Sequence, residues 1–166
     1  MTSVVVPPDA TPPLDEPELA DRLIHRGKEI GMARVLPLGA LTVGLRGEHL
    51  SELAGLKKAG CVAFSQAQVP LVDTEALLRA LEYAATFGFA VWLQPQDYWL
   101  SRNGIAHEGE VASRLGLAGI PVAAETIAIA TILQLVRDTG CRIHLTRLSS
   151  ASGVALVSAA RDEGLP

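Results

Sequence analysis

Apolar residues recur along this chain in two rhythms, short unbroken runs and longer stretches with helical spacing. Ser3–Val6 reads SVVV, a β-branched run without polar alternation, and predicts a buried strand. Asp15 follows as a candidate N-cap, with Pro17 in the first turn and Glu18 at capping-box spacing. The helix they open places Leu19, Leu23 and Ile30 toward one face and His25, Arg26 and Lys28 mostly elsewhere. Arg34–Leu38 predicts a second strand, Glu48–Lys58 a second helix ending before Gly60, and Cys61–Ser65 a third strand. Thr74–Phe87 is strongly amphipathic, with Leu77, Leu78, Leu81 and Ala85 inward and Gly88 as its left-handed stop. Phe89–Leu93 predicts a fourth strand, and Gln94 to Ile120 a long loop. Pro121 opens a helix closed by Gly140, Cys141–Thr146 is a fifth strand, and Ser152 caps a last helix that ends near Gly164.

Strands that are apolar without alternation are covered on both faces, which means a parallel sheet. The first four begin about thirty residues apart, the length of a βα unit. Five such units describe either an open doubly wound sheet or most of a TIM barrel.

Composition narrows the function classes. The 166 residues are 49% apolar and 4% aromatic, as expected of an Ala/Leu/Val-rich α/β domain. A net charge of −4 gives no basic footprint for nucleic acid and argues against an anionic membrane surface. No stretch is long and apolar enough to span a bilayer, and the N-terminus lacks a basic signal-peptide region. Cys61 and Cys141 lie in apolar strand-like runs and read as buried thiols in a reducing compartment, so the expected location is the cytoplasm.

Five segments carry a specific likeness: VVVPPDATPPLD, LPLGALTVGLRGEHLSEL, AGCVAFSQAQVP, QPQDYWLSRNGIAHEGEVASRLGLAGIPVAAE and TGCRIHLTRLSSASGVALV. Together they span nearly the whole chain, and it resembles a dihydroorotase of the amidohydrolase superfamily, most of all in LGLAGIPVAAE. The resemblance implies part of a TIM (β/α)8 barrel, about five parallel βα units matching the second to sixth strands. The chain is then expected to be a single α/β domain over 1–166, a fragment of such a barrel. An open five-stranded parallel sheet with helices on both faces is the shape expected of it.

The resemblance also implies a zinc site, and here the chain departs from it. The family's HxH pair after the first strand has no counterpart, nor has the catalytic aspartate after the eighth. Where the family reads SDDG after the fourth strand, this chain reads Ser65-Gln66-Ala67-Gln68. Where it reads HxED after the fifth, the chain has Gln94-Pro95-Gln96-Asp97, and the HxxHxS after the sixth is His144-Leu145-Thr146-Arg147-Leu148-Ser149. The positions where the family places metal ligands are therefore Ala67, Gln94 and Arg147, all degenerate, and no metal is expected there. Zinc takes thiolate, imidazole or carboxylate. A methyl group offers no donor, a glutamine amide is a weak one, and an arginine brings a fixed positive charge into the metal's own space. In the substrate loop, the family's PNTxP has become Pro8-Asp9-Ala10-Thr11-Pro12, and an ionised Asp9 would repel a substrate carboxylate. Taken alone, Asp9 is equally a turn residue between prolines.

The four histidines form no cluster: His25 and His49 fall on predicted helix surfaces, His107 in the long loop and His144 on a strand. Gly39, Gly44 and Gly47 sit in no phosphate-binding context. The resemblance thus implies a dihydroorotase homologue of pyrimidine biosynthesis that is inactive, binds no zinc, and serves as a structural partner of the aspartate transcarbamoylase catalytic chain, with self-association as a further option. The alternative is an active zinc-dependent dihydroorotase or related cyclic amidohydrolase, against which stands the lack of any replacement ligand cluster. Arg147 is expected to plug the old metal position by bonding Gln94, Asp97 or a strand-end carbonyl.

Overall fold

Three successive β-branched valines favour extended backbone, and Ser3–Val6 forms β1, pairing in parallel with Arg34–Ala40, β2. The computed structural model describes residues 2–166. Ala63–Ser65 (β3), Ala90–Leu93 (β4) and Arg142–Leu145 (β7) complete a five-stranded sheet in the order β1-β2-β3-β4-β7, every pairing parallel. Between the strands run α1 (Pro17–Ile30), α2 (Leu53–Lys58), α3 (Thr74–Thr86) and α6 (Val122–Thr139), and α7 (Ala151–Asp162) follows the last strand.

The sheet order settles where the helices go. Crossovers between parallel strands are right-handed, so strands added always in one direction put every helix on one face. A doubly wound sheet covers its second face only by reversing the order. Accordingly Phe64, Val91 and Leu93 of the sheet pack with Ala20 of α1, Leu53 and Leu56 of α2, Leu77 and Leu81 of α3 and Ile132 of α6. α7 adds Ala160 against Ile129 and Leu133 of α6. The expected helices on both faces are not found among the described residues: on the opposite face Val5 and His144 stay exposed, while Leu38 and Ala63 between them are buried. This one-sided winding is that of a barrel wall.

Several local expectations shift for identifiable reasons. Asp15 does not cap α1; the cap position is Glu16, without a side-chain bond, while Asp15 Oδ2 accepts from Gly44 N at 2.7 Å. Ile30 is exposed at the end of α1, whose inward positions include Ala20 and Leu23. The second helix starts at Leu53 rather than Glu48, because the preceding residues form a small hairpin: Val43 N donates to His49 O and Ser51 N to Leu41 O, at 2.9 and 3.1 Å. His49 is therefore an exposed loop residue. The long segment from Gln94 to Ile120 holds α4 (Tyr98–Ser101), β5 (Ala106–His107), α5 (Glu110–Arg114) and β6 (Gly119–Ile120), with β5 and β6 forming a separate parallel pair. Elements this short are below what hydrophobic periodicity can signal. The cap of α7 is Ser150, whose side chain accepts from Gly153 N, rather than Ser152.

Candidate functional site

Parallel strands that share a direction end along one edge, and the loops leaving their C-terminal ends build the sites of barrel proteins. β3, β4 and β7 deliver Ala67, Gln94 and Arg147 to that edge, and the loop after β1 delivers Asp9. Asp9, Ala67 and Arg147 line one cleft of about 200 Å³, walled by Val5, Leu38 and Trp92. Gln94 and Arg147 line a second cleft of about 300 Å³, together with Gln96, His107, Val122 and Glu125. Arg147 is the shared wall, so the four positions singled out in the sequence do converge.

Ala67 and Arg147 both have positive φ, 53° and 58°. That conformation costs a residue with a Cβ roughly 1–2 kcal/mol, and surrounding contacts must hold it. Ala67 N donates to Ser65 Oγ at 3.0 Å, and Thr146 N, just before Arg147, donates to Leu93 O at 2.9 Å. The backbone is thus turned sharply at two of the three expected ligand positions, though neither side chain is a metal donor.

The donor set does not fit a metal ion. Among the described residues, no group of three or more His, Cys, Asp or Glu side chains is placed to hold one. Gln94 Nε2 donates to Gln96 Oε1 at 2.9 Å, leaving Gln94 Oε1 buried without a partner, a single neutral acceptor. Asp97 is occupied as the N-cap of α4, its Oδ1 accepting from Leu100 N at 2.9 Å. Of the histidines, His144 lies against the Trp92 ring at 4.5 Å between centroids, on the bare face of the sheet. Cys61 and Cys141 are free and buried, and burial pushes each thiol up to about 11, so neither offers a thiolate at neutral pH.

The expected Arg147 plug is not formed. Arg147 is exposed, and among the described residues it makes no hydrogen bond or ion pair with Gln94, Asp97 or any strand-end carbonyl. Arg147 instead borders both clefts. Removing an exposed side chain without partners leaves no buried group unsatisfied, so Arg147→Ala should change stability by no more than about 0.5 kcal/mol. Chemical denaturation of the variant and parent tests this; a loss of 2 kcal/mol or more (~) would mean that the guanidinium has structural partners.

Two polar residues missed by the sequence analysis hold this edge together. Gln66 is 2% exposed; its Nε2 donates to Leu45 O at 2.8 Å and its Oε1 accepts from Thr42 Oγ1 at 3.0 Å. Thr42 Oγ1 in turn accepts from Gly47 N at 2.9 Å, so β3 anchors the loop after β2. Glu125, at the start of α6, is 8% exposed and receives four hydrogen bonds. Oε2 accepts from Ser149 N and Oγ at 2.7 and 2.8 Å, and Oε1 from Ser150 N and Oγ at 3.0 and 2.6 Å. Burial works to raise its pKa, but the hydrogen bonds outweigh that and hold it below the ordinary glutamate value. Its signal was visible as the one acid within the apolar stretch VAAETIAIATILQLV.

Comparison with known proteins agrees with this architecture. A family described as dihydro-orotase-like matches residues 1–152. The chain is 49% identical over 165 residues to a dihydroorotase-like protein of Pseudomonas aeruginosa, covering 99% of this chain and 39% of that one. It is 45% identical over 166 residues to a dihydroorotase-like protein of Pseudomonas putida, again covering 39% of the relative, and 38% identical to a dihydroorotase of Anaeromyxobacter sp. (strain K). In three dimensions it is similar to the L-hydantoinase (dihydropyrimidinase) of Arthrobacter aurescens, with a TM-score of 0.76 at 19% identity over 99% of this chain and 38% of that enzyme. The chain thus spans well under half of the relatives it matches, and its parallel sheet is a segment of barrel wall. On sequence and fold together, this chain belongs to the dihydroorotase-like family.

Proposed function

We propose that the chain comes from a dihydroorotase-like protein of pyrimidine biosynthesis that has lost metal-dependent hydrolysis and acts as a structural partner of the aspartate transcarbamoylase catalytic chain. The observation that carries the reading is the triplet Ala67, Gln94 and Arg147 at the strand ends, where no side chain is a good zinc ligand and one is a cation. The Gln66 and Glu125 networks are compatible with it, since hydrogen bonds of the chain itself hold the loops of that edge. The two relatives at 49% and 45% identity are called dihydroorotase-like and the relative at 38% a dihydroorotase, names that support the family on which this reading builds. The partnership itself rests on resemblance. A scaffold role uses the outer helices and not the strand ends, so it tolerates the exchanges at the strand ends.

The competing reading is an active cyclic amidohydrolase, which the same relatives' names keep in view. Metal analysis of the purified protein separates the two: the proposal expects far less than one zinc per chain and no dihydroorotate turnover. Stoichiometric zinc would overturn it. Arg147→His should restore neither metal nor turnover, because Ala67 and Gln94 remain and affinity depends on the whole ligand shell and its supports. Coexpression with an aspartate transcarbamoylase catalytic chain tests the partnership. The expected result is a stable joint complex on size exclusion, and separate elution counts against it.

A further inference from the structure

Asn103 is the single asparagine of the chain, and the residue after it is Gly104. The pair lies on the linker between α4 and β5, with Asn103 exposed. The carbonyl carbon of an asparagine side chain is a weak electrophile, and the nucleophile nearest to it is the backbone nitrogen of the next residue. A glycine there presents no Cβ to obstruct the approach and leaves the backbone free to turn toward the side chain. Packing requires that glycine for a separate reason. A Cβ at position 104 would collide with Ile120 Cγ1 and stand 3.0 Å from Gly119 O, where the linker runs against β6. The fold therefore retains the one neighbour that makes this asparagine reactive.

We infer that Asn103 is a site of intramolecular deamidation, gated by one backbone hydrogen bond. Gly104 N donates to Ser101 O at 2.9 Å, and that bond must open before the nitrogen can turn to the Asn103 side chain. The deprotonated nitrogen then attacks Asn103 Cγ and forms a C–N bond. The Cγ–Nδ2 bond breaks, and ammonia leaves with the proton that the Gly104 nitrogen gave up. Water adds to either carbonyl of the resulting five-membered imide. Opening on one side leaves aspartate, and on the other isoaspartate, in which the main chain runs through Cβ and Cγ. The only co-reactant is water. Either product replaces a neutral amide with a carboxylate, so the net charge falls one unit below −4. Isoaspartate also adds one carbon to the main chain of a linker fixed at both sides, by Gly104 against Ile120 and by Ile105 N donating to Ala118 O at 2.9 Å. The extra length must be taken up at the β5–β6 pair.

The test holds the native protein, and the same protein unfolded in guanidinium chloride, at mildly alkaline pH and maps both over time by peptide mass spectrometry. The mass gain of amide-to-acid exchange is expected at Asn103 in both samples, together with isoaspartate detected by isoaspartyl methyltransferase. The native rate should be roughly two- to tenfold below the unfolded rate, the factor that one net hydrogen bond imposes. Both rates should rise with pH, because the nucleophile is the deprotonated nitrogen. Asn103→Gln should abolish the conversion, since its longer side chain would have to close a six-membered ring. In the aged native protein, hydrogen exchange should quicken at Ile105 and at Glu108, whose N–H donates to Ile120 O at 2.9 Å. Complete conversion of the unfolded sample with none in the native one overturns the site. Equal rates in the two samples overturn the gate, and a mass gain confined to glutamines overturns both.

Discussion

Replacing Glu125 with alanine is expected to destabilise the protein by about 3–5 kcal/mol, the range seen when one partner of a buried, charge-assisted network is removed. Its carboxylate is the single acceptor for two backbone N–H groups and two hydroxyls of Ser149 and Ser150. Those residues form the entry to α7, and Ser150 simultaneously accepts from Gly153 N as the helix cap. The space is closed on its far side by Gly153, where any added Cβ would collide with Glu125 Oε1. Glutamine is nearly isosteric yet presents an amide nitrogen to two of the donors, so Glu125→Gln should still cost about 2–3 kcal/mol. Urea denaturation of both variants provides the measurement, and a loss below ~1 kcal/mol for alanine would show that the Ser149–Ser150 turn is held by something else.

The same residue gives a pH signature. Its folded pKa is depressed, so its contribution is fully present above the unfolded value of about 4.3 and is lost as pH falls through the lower folded value. The parent protein should therefore lose stability on acidification below about pH 5, and Glu125→Gln should lack that component of the slope. Identical acid limbs for the two proteins would remove the ionised carboxylate from the account.

Much of the fold was legible because the strands and long helices are periodic or β-branched on their own. SVVV, AVWL and RIHL each form strands in register with a neighbour, and Gly88 follows α3 in the left-handed conformation as local chemistry dictates. What stayed hidden depends on partners distant in sequence. Asp15 looks like a helix cap until the fold brings Gly44 to it, 29 residues away. Glu125 meets Ser149 and Ser150 across 24 and 25 residues, and no local pattern names that pairing. The expectation for Arg147 failed because the side chain is exposed at the border of two clefts and meets no acceptor among the described residues, a placement that one-dimensional spacing does not carry. The four site positions lie along one edge, since position after a parallel strand fixes that edge whatever the side chain.

Phe64 sets the second large expectation. Its ring is fully buried on the helix-covered face of β3, 5.2 Å from the Phe89 ring and directly beside Gly39, its register partner on β2. A Cβ at position 39 would meet Phe64 Cδ1 at 2.9 Å, Cε1 at 3.0 Å and Leu56 Cδ1 at 3.2 Å, so the glycine exists to admit the ring. Phe64→Ala should cost about 3–5 kcal/mol through lost burial and the cavity left behind. Gly39→Ala should cost about 1–3 kcal/mol through overpacking. The two residues compete for one volume, so the double variant should be less destabilised than the sum of the single changes by at least ~1 kcal/mol. The consequence reaches the site, because β3 leads directly into Gln66 and Ala67 at the strand ends. Strict additivity, within about 0.5 kcal/mol, would show that the ring and residue 39 do not share space and that the register of β2 against β3 is set elsewhere.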